Sequence, residues 1–293
     1  MIYDIKLKIS YDYGGPAAAG RHMLCLMPLE LRGVQRLMAG LIDIVPRPGE
    51  RTDQRDFFEN RTTEFALTGQ HDSLAIQMTA RVERFGAAPG LLPSPSLAGL
   101  GAEIAACRSM GPASPVHFVA ASPRVPHDAA MHRFAKAVLQ PGAPAAAIAT
   151  ALSHALYKVM IFDPEATEVD TPAAEAFAKR HGVCQDFSHI LIGCLRSIGI
   201  PAGYVSGFLR TRPPPGKPRL EGADAMHAWV RAWCGQAVGW VELDPTNDCL
   251  AGANHIVVAY GRDYSDVPPV RGILRVSGDQ KTDQAVDVIP VGE

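Results

Sequence analysis

The sequence predicts an α+β fold in which an antiparallel β-domain precedes a second, mixed domain. Three observations predict it: a period-two alternation of apolar and polar side chains over the first 85 residues or so, a following segment rich in glycine and proline, and a switch to helical periodicity before short strands return after residue 200. The 293 residues suffice for one large domain or two ordinary ones. We expect residues 1–116 to form the N-terminal β-domain with its linker, and residues 117–293 to form the second domain with its C-terminal strands.

Short strands separated by turns account for the N-terminal residues. Tyr3, Ile5, Leu7 and Ile9 alternate with polar residues and predict a first strand with one apolar face. Further strands are predicted at residues 24–31, 41–45, 62–67 and 74–82. The clusters GGPAAAG, PRPGE and TGQHD separate these strands as turns. The simplest account is an antiparallel β-domain with one exposed face.

Residues 86–116 are rich in Gly, Pro, Ala and Ser. Such a composition suits a linker or an irregular segment that covers part of the surface. The alternative is a long loop within one domain.

Helices and then strands are expected beyond this segment. Three helices are predicted at residues 128–139, 145–160 and 172–180, the third with Thr171 as its N-cap. A fourth is predicted at residues 184–197, because residues 184, 187, 191, 194 and 198 share one apolar face and Gly199 follows. The later strands are predicted at residues 203–209, 227–234, 238–243, 255–260, 273–276 and 286–291.

The composition excludes several classes of protein. With 28 Lys and Arg against 30 Asp and Glu, the net charge is −2, so we expect no nucleic-acid partner. Asp186, His189 and Arg196 interrupt the most apolar long run, residues 183–200, so we expect no membrane span. The N-terminus MIYDIKLKIS lacks the apolar core of a secretory signal, and the six cysteines are irregularly spaced. We therefore expect a cytoplasmic protein with mostly reduced thiols.

The segment HGVCQDFSH, residues 181–189, holds the sharpest chemical signal. Gly182 allows an unusual turn, and Cys184 follows it at the start of a predicted helix, where unpaired N–H groups and the helix dipole favour a thiolate and can hold an oxyanion. The alternative is that Cys184 is a small buried core residue. Asp186 is interpreted as a helix-start charge stabilised by the dipole rather than as a second acceptor in the site.

A hairpin predicts a partner for this cysteine. His227 opens one strand, Asp244 ends the next, and the turn CGQAVG lies between them. Antiparallel pairing therefore predicts a hydrogen bond between His227 and Asp244. A thiolate nucleophile needs such a base, and the base needs an orienting acceptor. Asp248, in the following turn, is a much weaker candidate than Asp244 for the acceptor that orients His227.

Three blocks in this order resemble the transglutaminase-like superfamily: GVCQDFSHILIGCLRSIGIPAGYVSGFL, DAMHAWVRAW and GWVELDPTND. The tail HIVVAYGRDYSDVPPVRG and the runs DFFEN and QHDSL resemble the bacterial branch, whose core follows an N-terminal β-domain. The resemblance implies a papain-like thiol fold with a catalytic core in residues 117–293. It also implies a triad in which Cys184 is the nucleophile, His227 is the base and then the acid, and Asp244 orients His227.

The sequence departs from the animal cross-linking enzymes of that superfamily. Gln185 stands where a tryptophan follows their cysteine, and all three tryptophans lie after Cys184. An acidic loop of the EF-hand type is also absent from the sequence. Calcium-dependent cross-linking is therefore not carried over, and the backbone N–H of Cys184 is the only oxyanion donor that can be named.

Cofactors and metals are not expected. The pairs His181 with Cys184 and His189 with Cys194 could be interpreted as zinc ligands, but a structural zinc site needs two well-spaced pairs. Cys184 and His189 also point in different directions on the predicted helix.

Substrate contacts are expected at Gln185, Tyr204 and Trp229. The loop TRPPPGKPRLEGAD, residues 211–224, either borders the substrate cleft or is a solvated connection. His255, Asp263, Tyr264 and Asp266 either rim the cleft or serve a structural turn.

We expect covalent thiol catalysis on an amide bond of a peptide or protein, through a thioester acyl-enzyme. Hydrolysis by a cysteine peptidase or amidase is favoured over transglutaminase-type amine transfer. A non-catalytic protein-binding module that retains the fold is a further alternative. The presence of Cys, His and Asp together argues against it, because a scaffold has no need for that set.

Overall fold

The computed structural model describes residues 1–86, 93–211, 222, 224–274 and 279–292, and it confirms the predicted α+β class. The strands of the N-terminal part are β1 Ile2–Ala17, β2 Gly20–Leu24, β3 Gln35–Val45, β4 Glu50–Arg55, β5 Arg61–Leu67 and β6 His71–Arg84. The helices are α1 Leu97–Ala106, α2 Ala129–Val138, α3 Ala145–Val159, α4 Ala173–Lys179 and α5 Cys184–Ser197. The later strands are β7 Ile161–Phe162, β8 His181–Gly182, β9 Ala202–Leu209, β10 Ala225–Trp233, β11 Trp240–Asp244, β12 Cys249–Leu250, β13 His255–Gly261, β14 Val270–Leu274 and β15 Gln280–Pro290.

Two four-stranded antiparallel sheets contain the N-terminal strands. Their strand orders are β15-β1-β6-β3 and β14-β2-β5-β4. Tyr3, Ile5, Leu7 and Ile9 of β1 are buried, which confirms the predicted apolar face. The outer strands β14 and β15 come from the C-terminus, so the last strands of the chain pair with its first ones. The division at residue 116 remains a prediction.

A five-stranded antiparallel sheet with the order β12-β11-β10-β9-β13 supports α5. Helices α2, α3 and α4 pack around α5, whose residues are buried from Asp186 to Arg196. Helix α5 begins and ends at the predicted residues, and Gly199 follows it with a φ of 86°, a conformation that favours glycine. The helix therefore presents its first residue, Cys184, at the rim of a rigid core.

The structure differs from the predicted elements in several places. The strand expected at residues 24–31 ends at Leu24, because the chain leaves the sheet there, and Leu29 donates its N–H to Val257 instead. The strand β4 is not predicted from the sequence, because all six of its residues are exposed and it has no apolar face. The segment expected to be irregular contains α1, which Ser96 caps and Leu100 anchors in the core; residues 87–92 lie outside the described residues. The predicted strand at 273–276 is described only as far as Leu274.

Side-chain amides from the N-terminal sheets cover the free edge of β13. Gln35 accepts the Val257 N–H at 2.8 Å and donates to the Val257 carbonyl at 2.8 Å. Asn60 accepts the Tyr260 N–H at 2.8 Å and donates to the Tyr260 carbonyl at 2.8 Å. Both amides are fully buried. They take the place of a neighbouring strand, so the N-terminal part and the five-stranded sheet share one hydrogen-bonded boundary.

Within the described part of the chain, every helix is too short or too polar to cross a lipid bilayer.

Candidate active site

Cys184 is the first residue of α5, and Asp186 builds the start of that helix. The Asp186 Oδ2 atom accepts the Val183 N–H at 2.8 Å and the Thr167 hydroxyl at 2.6 Å. Burial raises the pKa of Asp186, and these two hydrogen bonds oppose that rise. Asp186 therefore holds the chain on either side of Cys184, which agrees with its interpretation as a helix-start residue.

Gly182 is needed for a different reason from the one expected. Its φ is not positive, so the predicted unusual turn is wrong. A Cβ atom at this position would lie 2.6 Å from Asp186 Oδ2 and 2.8 Å from Asp186 Cβ. The close approach of the Asp186 side chain to the backbone leaves room only for glycine.

The predicted hairpin brings His227 and Asp244 together. β10 pairs with β11 from Val230 opposite Leu243 to Trp233 opposite Trp240. Beyond this ladder, His227 Nε2 lies 2.8 Å from Asp244 Oδ2, which confirms the predicted hydrogen bond. His227 also hydrogen-bonds the Cys184 side chain. Because Nε2 is occupied by Asp244, Nδ1 is the ring nitrogen left for the sulfur.

Asp244 is fully buried and accepts five hydrogen bonds. Its Oδ1 accepts the backbone N–H groups of Thr246 at 3.0 Å and Asn247 at 3.1 Å. Its Oδ2 faces His227 Nε2 at 2.8 Å, His255 Nε2 at 3.0 Å and the Asn247 side-chain amide at 2.7 Å. Burial alone would raise the pKa of Asp244, but the donors hold it far below its ordinary value. The carboxylate is therefore charged.

The pKa of His227 is raised from 6.5 to about 10. Burial by itself lowers this pKa, whereas the hydrogen bonds to Asp244 and Cys184, together with the negative charges of these two groups, raise it by a larger amount. The site therefore favours a protonated imidazole between a carboxylate and a thiol, which is the arrangement that stabilises a thiolate.

His255 is the residue of the site whose place the sequence left open. It is buried at the start of β13 and shares Asp244 Oδ2 with His227. β13 lies three positions away from β11 in the sheet order, so the pairing of sequential strands in hairpins does not predict that the two lie close together. The register of the whole sheet would have been needed to place His255 beside Asp244.

Two of the three residues expected to contact substrate, Tyr204 and Trp229, are buried. Trp229 is fully buried, stacks on the His227 ring at 6.1 Å between centroids and donates to Glu242, so it offers a substrate no surface. Tyr204 is only 3% exposed and packs against His189. Gln185 is half-buried, and its side-chain amide donates to the Val169 carbonyl at 2.9 Å. A substrate contact at Gln185 remains a prediction.

The remaining polar candidates have structural partners. Asp263 is buried and accepts the N–H groups of Arg124 and Ser265, while Asp266 pairs with Arg262, so both serve the turn after β13. Asp248 hydrogen-bonds His154 Nδ1 at 2.7 Å. The loop expected to border the cleft lies outside the described residues from 212 to 221 and at 223.

The ligand atoms of His227, Asp244 and His255 lie within 4.8 Å of one another, a spacing at which a metal could bind. The donors around Asp244 do not fit a cation, however. Both imidazole Nε2 atoms point at one carboxylate oxygen, the Asn247 amide N–H points at the same atom, and two backbone N–H groups occupy the other oxygen. Five N–H groups around a carboxylate form a hydrogen-bond network rather than a metal shell.

The earlier zinc pairs are also engaged elsewhere. His181 Nδ1 lies 2.8 Å from the Lys179 carbonyl, and His189 Nε2 accepts the Tyr264 N–H at 3.2 Å. Burial raises the pKa of Cys194 to about 12, which opposes the thiolate form that zinc requires.

Comparisons with known proteins agree with this fold. A family model described as the transglutaminase-like superfamily matches residues 132–245, and one described as the bacterial transglutaminase-like N-terminal region matches residues 3–83. An uncharacterized protein of Mycobacterium tuberculosis is 37% identical over 261 residues, which are 87% of this chain and 82% of the relative. One from Mycobacterium leprae is 42% identical over 127 residues, 43% of each chain.

A solved structure shares the architecture of the whole chain. It comes from Cytophaga hutchinsonii and carries the description "Putative Cysteine Protease". Its TM-score is 0.77 at 18% sequence identity, and the match covers 100% of this chain and 91% of the other. At this identity the similarity establishes the fold.

Proposed function

The chain belongs to the transglutaminase-like superfamily and has its thiol-enzyme fold, and from this premise we propose that it hydrolyses amide bonds through a thioester on Cys184. The observation that carries the proposal is the continuous contact from the buried Asp244 through the buried His227 to the half-buried Cys184. The description of the Cytophaga hutchinsonii protein as a cysteine protease agrees with it.

The first half-reaction forms the acyl-enzyme. The Cys184 thiolate attacks the carbonyl carbon of the amide, the carbon–sulfur bond forms, and the carbonyl electrons move onto oxygen. When the carbon–oxygen double bond re-forms, the carbon–nitrogen bond breaks. The amine leaves with the proton of His227, so a thioester and a neutral imidazole remain.

The second half-reaction returns the enzyme to its starting state. His227 takes a proton from water as the oxygen attacks the thioester carbon, and the carbon–sulfur bond then breaks. The acid is released, and His227 is again protonated beside the Cys184 thiolate. The sum is amide and water converted to carboxylic acid and amine.

The start of α5 supports oxyanion binding in both steps. The Val183 N–H is taken by Asp186 Oδ2, and the N–H groups of Asp186 and Phe187 donate to the Val183 carbonyl. Within the described residues, the backbone N–H groups of Cys184 and Gln185 have no acceptor. Backbone donors that are free at a helix start and next to the nucleophile suit a developing negative charge. The Gln185 N–H is thus the candidate for the second oxyanion donor.

Trapping of the acyl-enzyme tests the proposal. Wild type, Cys184→Ala and the matched control Cys249→Ala are incubated with a tryptic peptide mixture, quenched in acid and analysed by intact-mass and peptide mass spectrometry. We expect hydroxylamine-labile mass increments on residue 184 in the wild type and the control. Cys184→Ala should show none.

The second half-reaction is tested with ¹⁸O-labelled water and added methylamine. Incorporation of ¹⁸O into the released acid supports hydrolysis, whereas methylamide products point to amine transfer. Peptides that bind without a covalent adduct in any variant would contradict the proposal and favour a binding module.

A further inference from the structure

His255 extends the contact chain of the site by one imidazole. Its Nε2 lies 3.0 Å from Asp244 Oδ2, and its Nδ1 accepts the Gly252 N–H at 3.2 Å. A nitrogen that accepts a hydrogen bond carries no proton, so the proton of the neutral ring sits on Nε2 and is donated to Asp244. The backbone of the turn before β13 thus selects the tautomer of His255.

The imidazoles of His227 and His255 both restrain the orientation of the Asp244 carboxylate. His227 and His255 both face Oδ2, while two backbone N–H groups hold Oδ1, so rotation of the carboxylate would break hydrogen bonds at both oxygens. Trp229 contacts both rings, with centroids 6.1 Å from His227 and 5.2 Å from His255. The Trp229 ring therefore packs against both imidazoles, and its Nε1 donates a hydrogen bond to Glu242 at 2.8 Å.

The N-terminal sheets hold His255 in place. Arg84, at the end of β6, is buried and donates from Nε to the His255 carbonyl at 2.8 Å and from a terminal nitrogen to the Val34 carbonyl at 3.0 Å. Gln35 fixes Val257 two residues later. The backbone position of His255 is thus set by residues more than 170 positions earlier in the chain.

We propose that His255 is a positioning residue of the site, which holds the Asp244 carboxylate and, through it, the His227 ring with Nδ1 toward Cys184. The inference rests on the proposed function for its catalytic meaning. The hydrogen-bond pattern that it specifies is testable without turnover. A turn residue with no such part would leave His227 unaffected when its ring is removed.

Imidazole NMR on the full chain labelled with ¹⁵N-histidine tests the proposal. In the wild type at neutral pH, we expect His255 to show a neutral ring protonated at Nε2, together with slowly exchanging Nε2–H protons for both His255 and His227. A His255 ring protonated at Nδ1, or at both nitrogens, would overturn the proposal before any variant is made.

Two substitutions separate positioning from packing. His255→Gln keeps a side-chain N–H at a similar reach, so the exchange rate of the His227 Nε2–H should stay close to that of the wild type. His255→Leu removes the donor, and exchange should accelerate by about tenfold or more, because a hydrogen bond to a charged group is lost. His154→Leu, which removes a His–Asp pair at the surface, is the matched control and should change nothing.

An unchanged His227 signal in a folded His255→Leu variant would overturn the proposal, as would acceleration of equal size in His255→Gln. If the NMR pattern is as expected but peptide trapping fails, the proposed function falls and the hydrogen-bond role of His255 stands. If trapping succeeds and His255→Leu leaves the His227 signal unchanged, only the role of His255 falls.

Discussion

At the scale of single residues, the proposed chemistry depends on His227, which is buried between a charged carboxylate and a thiol. Burial disfavours a charged imidazole, and the hydrogen bonds and negative charges of Asp244 and Cys184 together outweigh that effect. Asp244 has five donors and no competing cation among the described residues, so its charge is directed at His227 and His255. The buried contacts on which the proposed reactivity depends also make these residues sensitive to substitution.

Asp244→Asn removes the charge and keeps the shape of the side chain. The amide nitrogen replaces one carboxylate oxygen and presents an N–H to His227 Nε2, which must then give up its proton and place it on Nδ1, facing Cys184. A ring in that tautomer cannot accept a proton from the nucleophile. We expect turnover of a peptide identified by trapping to fall on the order of 10²–10⁴-fold. Circular dichroism should show an intact fold, and turnover within a few-fold of wild type would contradict the orienting role.

Asp244→Ala is a poor probe of the orienting role of Asp244. The position of this residue at the end of a strand predicts a tolerated substitution, but the structure shows otherwise. Because the carboxylate is fully buried, alanine leaves several N–H groups without acceptors, and lost activity would be mixed with lost stability.

The raised pKa of His227 predicts a pH dependence of stability. A group whose pKa is higher in the folded state stabilises the fold fully below its unfolded value of 6.5, and this contribution is lost as the pH rises toward about 10. We expect the free energy of unfolding to fall across this window by at most about 1.4 kcal/mol per pH unit from this group. Urea unfolding of wild type and His227→Gln measures it. Equal slopes in the two proteins would contradict the shift.

At the scale of elements, the start of α5 determines the position of Cys184 and of the backbone N–H groups beside it. Asp186 accepts the Val183 N–H at the helix start, and the next two N–H groups, of Cys184 and Gln185, have no acceptor in the described part of the chain. Gly182 allows the carboxylate to come this close.

Gly182→Ala should disturb this helix start. Its Cβ would meet Asp186 Oδ2 at 2.6 Å, so the capping side chain must move. We expect a loss of about 1–3 kcal/mol in the free energy of unfolding, together with slower acylation of Cys184. Gly101→Ala in α1 is the matched control, since nothing lies within 4 Å of its Cβ position, and it should stabilise by about 0.5–1 kcal/mol. Similar effects of the two substitutions would contradict the role given to Gly182.

The sequence could predict α5 to the residue because its signals are local: an apolar face at helical spacing and a glycine after the last turn. The contact between His227 and Asp244 was equally local, since one hairpin determines it. β4 and α1 were missed because β4 has no apolar face and α1 is made mostly of Ala and Gly, whose composition resembles that of a linker. Local patterns carry no information where packing decides.

At the scale of the whole molecule, the N-terminal sheets are structurally tied to the site. Gln35 and Asn60 cover the edge of β13, and Arg84 holds the carbonyl of His255. The C-terminal strands return to complete the same two sheets. None of these long-range pairings has a sequence signal, which is why the sequence does not assign His255 and does not show that Trp229 and Tyr204 are buried.

Gln35→Leu tests this boundary. It leaves the Val257 N–H buried without an acceptor and removes one of the donors to the Val257 carbonyl. We expect a destabilisation of about 1–3 kcal/mol for the unsatisfied group, measured by urea unfolding. Gln54→Leu, on the exposed strand β4, is the control and should stay within about 0.5 kcal/mol of wild type. Equal stability of Gln35→Leu and wild type would contradict the coupling of the two parts.

The central claim, that His227 activates Cys184, is tested most directly by the alkylation rates of the six cysteines with iodoacetamide at pH 6. Burial raises the pKa of Cys25, Cys194 and Cys234 to about 12 and that of the exposed Cys249 to about 11, so these thiols should react slowly. Cys184 should be labelled at least about tenfold faster than Cys249 although it is less exposed, and His227→Ala should abolish that advantage. Labelling of Cys184 no faster than that of Cys249, or unchanged by His227→Ala, would contradict the account.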